Sequence, residues 1–108
     1  MFKLKPTNSF KWNVEVREPV DGRYNVYKFK AEFKLLSAED QQDAQARGDA
    51  DFLRVVLIGW EGIQDEDGNE LVFSEIARES LIAHVPSRFA TVQAYFSAVS
   101  GKASVRGN

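Results

Sequence analysis

Cysteine is absent from the 108 residues, which excludes a disulfide framework, a thiolate metal site and a cysteine nucleophile together. The absence is compatible with a reducing compartment. Histidine occurs once, at His84, so any Ser-His-Asp mechanism would have to use it. Neither a glycine-rich phosphate loop nor a nucleophile elbow is present. No apolar run approaches the roughly 18 residues of a membrane span, and Met1–Pro6 lacks the apolar stretch of a signal peptide. The expected location is the cytoplasm, with no membrane partner. A continuous basic surface is also missing. Lys11, Arg17, Lys28, Lys30 and Lys34 come nearest to one, but Glu15 and Glu32 interrupt them and the pI is about 5.4, so no nucleic-acid partner is expected.

What is present is ordinary core material. The chain is 44% apolar and 28% charged, and its 2 Trp, 3 Tyr and 8 Phe supply bulky side chains for one domain spanning residues 1–108. Charge is unevenly spread. Residues 1–36 carry eight basic and four acidic side chains, residues 37–80 three and twelve, and residues 81–108 three and none. An acidic middle between basic flanks could steer a basic partner to the middle, favour head-to-tail self-association into a homo-oligomer, or serve as solvated surface.

The pattern along the chain predicts an α+β fold: an antiparallel β-hairpin, with room for a third short strand, packed against three to four α-helices. After a lead with a turn at Thr7–Ser9, Phe10, Trp12, Val14 and Val16 alternate with Lys11, Asn13, Glu15 and Arg17. A second alternation sets Tyr27, Phe29, Ala31, Phe33 and Leu35 against Lys28, Lys30, Glu32 and Lys34. With Asp21-Gly22 central in a type I′ turn, Val14 falls opposite Phe29 and Phe10 opposite Phe33, while Glu15 meets Lys28 and Lys11 meets Glu32.

Ser37 then caps a polar helix through Arg47 that serves as an exposed helix or as an adaptable arm. Asp49 or Asp51 caps the next helix, whose spacing of Phe52, Val55, Val56 and Gly59 carries it to Gly59-Trp60-Glu61-Gly62-Ile63. Trp60 stands at that corner, either packed beneath the turn or exposed to a partner. Asp65, Asp67 and Asn69 alternate as calcium ligands would, but the sixth and twelfth positions counted from Asp65 are Glu70 and Ile76, so no metal is expected. The segment is better explained as a tight reversal into an extended piece, Leu71-Val72-Phe73, available as the third strand. Its exposed acidic residues Asp65, Glu66, Asp67 and Glu70, with Trp60, form the best local candidate for partner binding.

Ser74 caps a third helix with an inward stripe of Ile76, Ser80 or Leu81, and Ala83 or His84. His84 has no evident nucleophile or orienting partner in the local sequence, so a structural role at a helix end is expected and no catalytic residue is assigned. Pro86 and Ser87 open a last helix whose stripe Phe89, Val92, Phe96 and Val99 is expected in the core. Gly101 ends it, before a small basic tail expected to fray.

Several stretches in this order resemble the tail assembly chaperones of long-tailed bacteriophages and prophages over nearly the full length. They are Phe2-Lys3-Leu4-Lys5-Pro6, the hairpin, Gly59-Trp60-Glu61-Gly62-Ile63, Val72-Phe73-Ser74, Val85-Pro86, Ala94-Tyr95-Phe96 and a short basic tail. The segment Gln41 to Asp49 is not diagnostic, and the end departs from the family in reading Arg106-Gly107-Asn108. The resemblance implies a non-enzymatic cytoplasmic protein of the bacterial host, without cofactor. It would coat the hydrophobic, largely helical tape measure protein during tail building and be displaced as tube subunits polymerise. Members often have a longer form made by ribosomal frameshifting. The alternative is a structural minor tail protein or adaptor retained in the virion.

Overall fold

Strict alternation produces two long strands, β1 (Ser9–Val20) and β2 (Arg23–Lys34). Asp21 and Gly22 join them with φ values of 48° and 81°, the two left-handed positions that a type I′ turn requires. Val14 lies opposite Phe29, Phe10 opposite Phe33, Glu15 opposite Lys28 and Lys11 opposite Glu32, the register the sequence predicts. These are the coordinates of a computed structural model that describes Phe2, Leu4 and residues 8–101. Thr7 of the expected lead turn and the basic tail from Lys102 onward lie outside the described residues.

A third strand exists, but it is not Leu71-Val72-Phe73. It is β3 (Leu57–Glu61), antiparallel to β2 in a sheet of order β1-β2-β3. The helix expected to reach Gly59 stops at Val56, and the chain turns directly into the sheet. Helical spacing was misleading here because Val55-Val56-Leu57-Ile58 has strand propensity as well. The open edge of β2 decides the matter by offering backbone partners and burying Leu57 completely. Glu32 faces Gly59 whereas Phe33 faces Leu57, so Ile58 is the extra residue of a bulge.

Among the described residues four helices complete the α+β fold. Helix α1 (Ala38–Ala46) is capped by Ser37, whose Oγ accepts from the Asp40 N–H at 3.2 Å, and Ala44 is its one buried residue. Helix α2 (Asp49–Val56) has Gly48 at its N-cap with φ 97°, so neither Asp49 nor Asp51 is the cap. Both instead occupy the first turn, where negative charge meets the positive end of the helix dipole. Helix α3 (Glu75–Ala83) begins at Ser74, whose Oγ accepts from the Ala77 N–H at 3.0 Å. Helix α4 (Val85–Val99) follows after His84 alone.

Two helix faces differ from the expected stripes. In α3 the buried residues are Ala77, Leu81 and Ile82, while Ile76 is 84% exposed. In α4 they are Ser87, Thr91 and Tyr95; Val92 and Phe96 are half-buried, and Phe89 and Val99 are exposed. Apolar residues surround most of α4, so its sequence does not single out one face. Packing against β1 selects the stripe of Ser87, Thr91 and Tyr95, and Thr91 enters the core because its Oγ1 donates to the Ser87 carbonyl at 2.6 Å.

The core centres on Tyr95, which is fully buried. Phe10, Phe33, Phe52 and Phe96 surround its ring at centroid distances of 6.0, 5.4, 5.1 and 5.5 Å. Burial holds the phenol above its ordinary range, and the nearby Leu36 backbone opposes that shift without reaching hydrogen-bonding geometry. The helices cover one face of the sheet. On the other face Lys11, Asn13, Glu15, Arg17, Lys28 and Lys30 are exposed. Among the described residues no helix is long and apolar enough to cross a membrane.

Candidate functional site

Because β3 pairs only with Lys30–Phe33, the covered face of the hairpin continues beyond it. There Val16, Tyr27 and Phe29 face residues 60–71 and the junction of α3 with α4 across a groove of about 750 Å³. Trp60, Ile63 and Leu71 form one wall, and Ser80, Leu81 and His84 form another. Its charged lining is Lys28, Asp65 and Glu70. The lining is thus mainly apolar, with two carboxylates and one ammonium group.

The acidic segment beside the groove is a small ordered hairpin. The Leu71 N–H donates to the Ile63 carbonyl and the Asp65 N–H to the Asn69 carbonyl, both at 2.8 Å, and Gln64 forms a bridge with Glu70. Gly68, at φ 84°, closes the turn in a left-handed conformation that favours glycine. Asp65 Oδ1 accepts from the N–H groups of Asp67 at 2.9 Å and Asn69 at 3.0 Å. That carboxylate therefore organises its own turn. Among the described residues no group of three or more acidic or histidine side chains could hold a metal ion.

Trp60 ties this small hairpin to the sheet. Its Nε1–H donates to the Leu71 carbonyl at 2.8 Å, and its ring meets Phe73 edge-on at 4.9 Å. Arg78 lies over Phe73 at 6.0 Å and donates to the Leu57 carbonyl at 3.2 Å. Of the five residues singled out from the sequence, Trp60, Asp65 and Glu70 share the groove lining, whereas Glu66 and Asp67 stand exposed outside it.

Sequence reading missed the opposite wall. His84 does have orienting partners: Nε2 lies 2.7 Å from Glu18 Oε2 and Nδ1 lies 2.8 Å from Ser87 Oγ. Ser87 Oγ also lies 2.9 Å from the carbonyls of both Leu81 and His84. With a proton on Nε2 directed at the carboxylate, Nδ1 accepts at the start of α4. The hydroxyl is buried among backbone acceptors, so the arrangement acts as a clasp between hairpin and helix junction. One signal was legible, since Glu18 continues the inward series Phe10, Trp12, Val14 and Val16 as a charge on an apolar stripe.

A second clasp joins α2 to α3. Arg54 donates through Nε and Nη2 to the two oxygens of Glu79 at 2.9 and 2.7 Å, and through Nη1 to Asp51 at 2.6 Å. The Arg54 hydrogen bonds hold the Glu79 carboxyl below its ordinary range, and those of Glu79 and Asp51 raise the pKa of Arg54. A carboxyl depressed in the folded state contributes stability that is present above its unfolded pKa and lost as pH falls through the folded value. Glu79→Gln should therefore flatten the acid limb of a stability-versus-pH curve below about pH 5, leaving the neutral-to-alkaline limb unchanged in shape. Urea melts across that range at low salt provide the measurement. An unaltered acid limb would show that Glu79 contributes nothing there.

Together these features define a two-layer α+β domain carrying a clasped, mainly apolar groove beside a hydrogen-bonded acidic hairpin. Compared with known protein families, curated proteins and solved structures, the chain matches none.

Proposed function

We propose that this chain is a non-enzymatic tail assembly chaperone of a long-tailed phage or prophage, and that its groove holds a helical, apolar segment of the tape measure protein. The observation carrying the proposal is the groove between hairpin, acidic turn and helix junction. Partly exposed Tyr27, Trp60, Ile63 and Leu71 can receive one face of an amphipathic helix over a floor of buried Val16, Phe29 and Leu81, while Asp65 and Glu70 meet basic residues flanking it. The resemblance of the chain to that chaperone family supplies the identity of the partner.

Overlapping peptides from the tape measure protein of the same gene cluster provide the test, titrated by calorimetry against the whole chain. An apolar peptide with basic flanks should bind. Tyr27→Ala, at a groove position 52% exposed, combined with Glu70→Lys should weaken that binding by about tenfold or more while leaving the fold intact by circular dichroism. If no peptide binds, and deletion of the gene leaves tails normal in number and length, the proposal fails. Mass spectrometry of purified particles separates the chaperone from a retained tail component, because a chaperone should be absent from them.

A further inference from the structure

The outer edge of β1 is unpaired among the described residues, since the sheet order is β1-β2-β3. Which backbone groups it offers follows from the turn. In a hairpin closed by a two-residue turn, the flanking pair, here Val20 and Arg23, exchanges hydrogen bonds and later pairs alternate. The N–H and C=O groups of Lys11, Asn13, Glu15 and Arg17 therefore face the open edge. Pro19 has the same parity, so the N–H it lacks would also have faced outward and its place in β1 costs the ladder nothing. Nine residues, Ser9 to Arg17, remain able to pair before that stop.

We propose that this edge pairs antiparallel with β1 of a second copy, on a two-fold axis through Asn13, to form a continuous six-stranded sheet. Two-fold antiparallel pairing must match odd residues with odd ones, and charge selects the register. Centring on Asn13 sets Lys11 against Glu15 of the second copy, twice by symmetry, and Ser9 against Arg17. On the covered face it sets Trp12 against Val14 and Phe10 against Val16. Centring on Val14 would oppose Lys11 and Arg17, and centring on Glu15 would oppose two glutamates, both unfavourable. Centring on Trp12 would leave Lys11 facing Asn13 with no opposite-charge pair, and centring on Val16 would pair Glu15 with Arg17 but bring Pro19, which has no N–H to donate, opposite Asn13. An open space of about 1160 Å³ runs beside the strand, lined by Trp12, Val14 and Glu15 together with Phe89 and Gln93 of α4, and extends to Lys28 and Lys30. Phe89 is 58% exposed there, giving the incoming strand an apolar neighbour.

The proposal is independent of what fills the groove. Its test is a charge exchange followed by sedimentation velocity over a concentration series. The wild-type chain should form a species of twice 12.2 kDa. Lys11→Glu alone and Glu15→Lys alone each place like charges across the axis twice, and each should weaken the dimer by about tenfold. Mixing the two single variants should restore it, because a heterodimer recovers both opposite-charge pairs, and the double variant K11E/E15K should dimerise by itself. Circular dichroism checks that each variant remains folded despite losing the Lys11–Glu61 or the Glu15–Arg17 ion pair. A monomeric wild type, an edge occupied only when a tape-measure peptide is added, or single variants that dimerise unchanged would each overturn the proposal.

Discussion

Replacing Phe33 by alanine is expected to destabilise the fold by about 3–5 kcal/mol, the range for deleting a large aromatic side chain from a close-packed core. Phe33 is fully buried on the central strand. It faces Phe10 at 5.6 Å and meets Tyr95 edge-on at 5.4 Å, and its partner on β3 is Leu57. Removing its ring leaves a void shared by the sheet and α4, whose backbones cannot both collapse into it. A loss of this size is a large share of the roughly 5–15 kcal/mol that holds a typical domain folded. The matched control is Phe89→Ala on α4, 58% exposed, which should change stability by less than about 1 kcal/mol. Urea unfolding of both variants distinguishes the observed α4 face from the stripe expected of its sequence. Equal losses would return Phe89 to the core.

Trp60→Ala should cost about 2–3 kcal/mol, below the full core range because the indole is half-buried. The loss has two sources. The edge contact with Phe73 disappears, and the Leu71 carbonyl loses its Nε1–H donor at 2.8 Å. Both contacts hold the acidic hairpin against the sheet, so its backbone amides from Ile63 to Leu71 should exchange with solvent faster than those of β2. Hydrogen exchange measures this directly. Groove binding should fall at the same time, because Trp60 forms part of a wall. If binding were lost with stability and exchange unchanged, Trp60 would be a contact residue alone and not the anchor of its hairpin.

These two positions show how differently parts of the chain could be read. The hairpin was legible to the level of single pairs because a period of two, a type I′ turn and cross-strand charges all specify one register. The cap at Ser74 was legible from local chemistry. Helix faces were less so. Apolar residues lie around most of α4, and its orientation follows from how β1 receives Thr91 and Tyr95, a long-range fact. The candidate site divides in the same way. Trp60, Asp65 and Glu70 stood out as an aromatic and two acids near a turn, whereas Glu18 and His84 are 66 positions apart and meet only after folding.

The sequence by itself determined the α+β class, the hairpin with its register and the absence of thiol chemistry, because each depends on local periodicity, turn geometry or composition. Tertiary structure alone decided that Leu57–Glu61 becomes a strand, which sides of α3 and α4 are buried, and that the hairpin, acidic turn and helix junction enclose a groove. The physical reason is competition for partners. Val55 to Trp60 satisfies a helix or a strand comparably well, and the choice falls to the open edge of β2, where backbone hydrogen bonds and the burial of Leu57 come together.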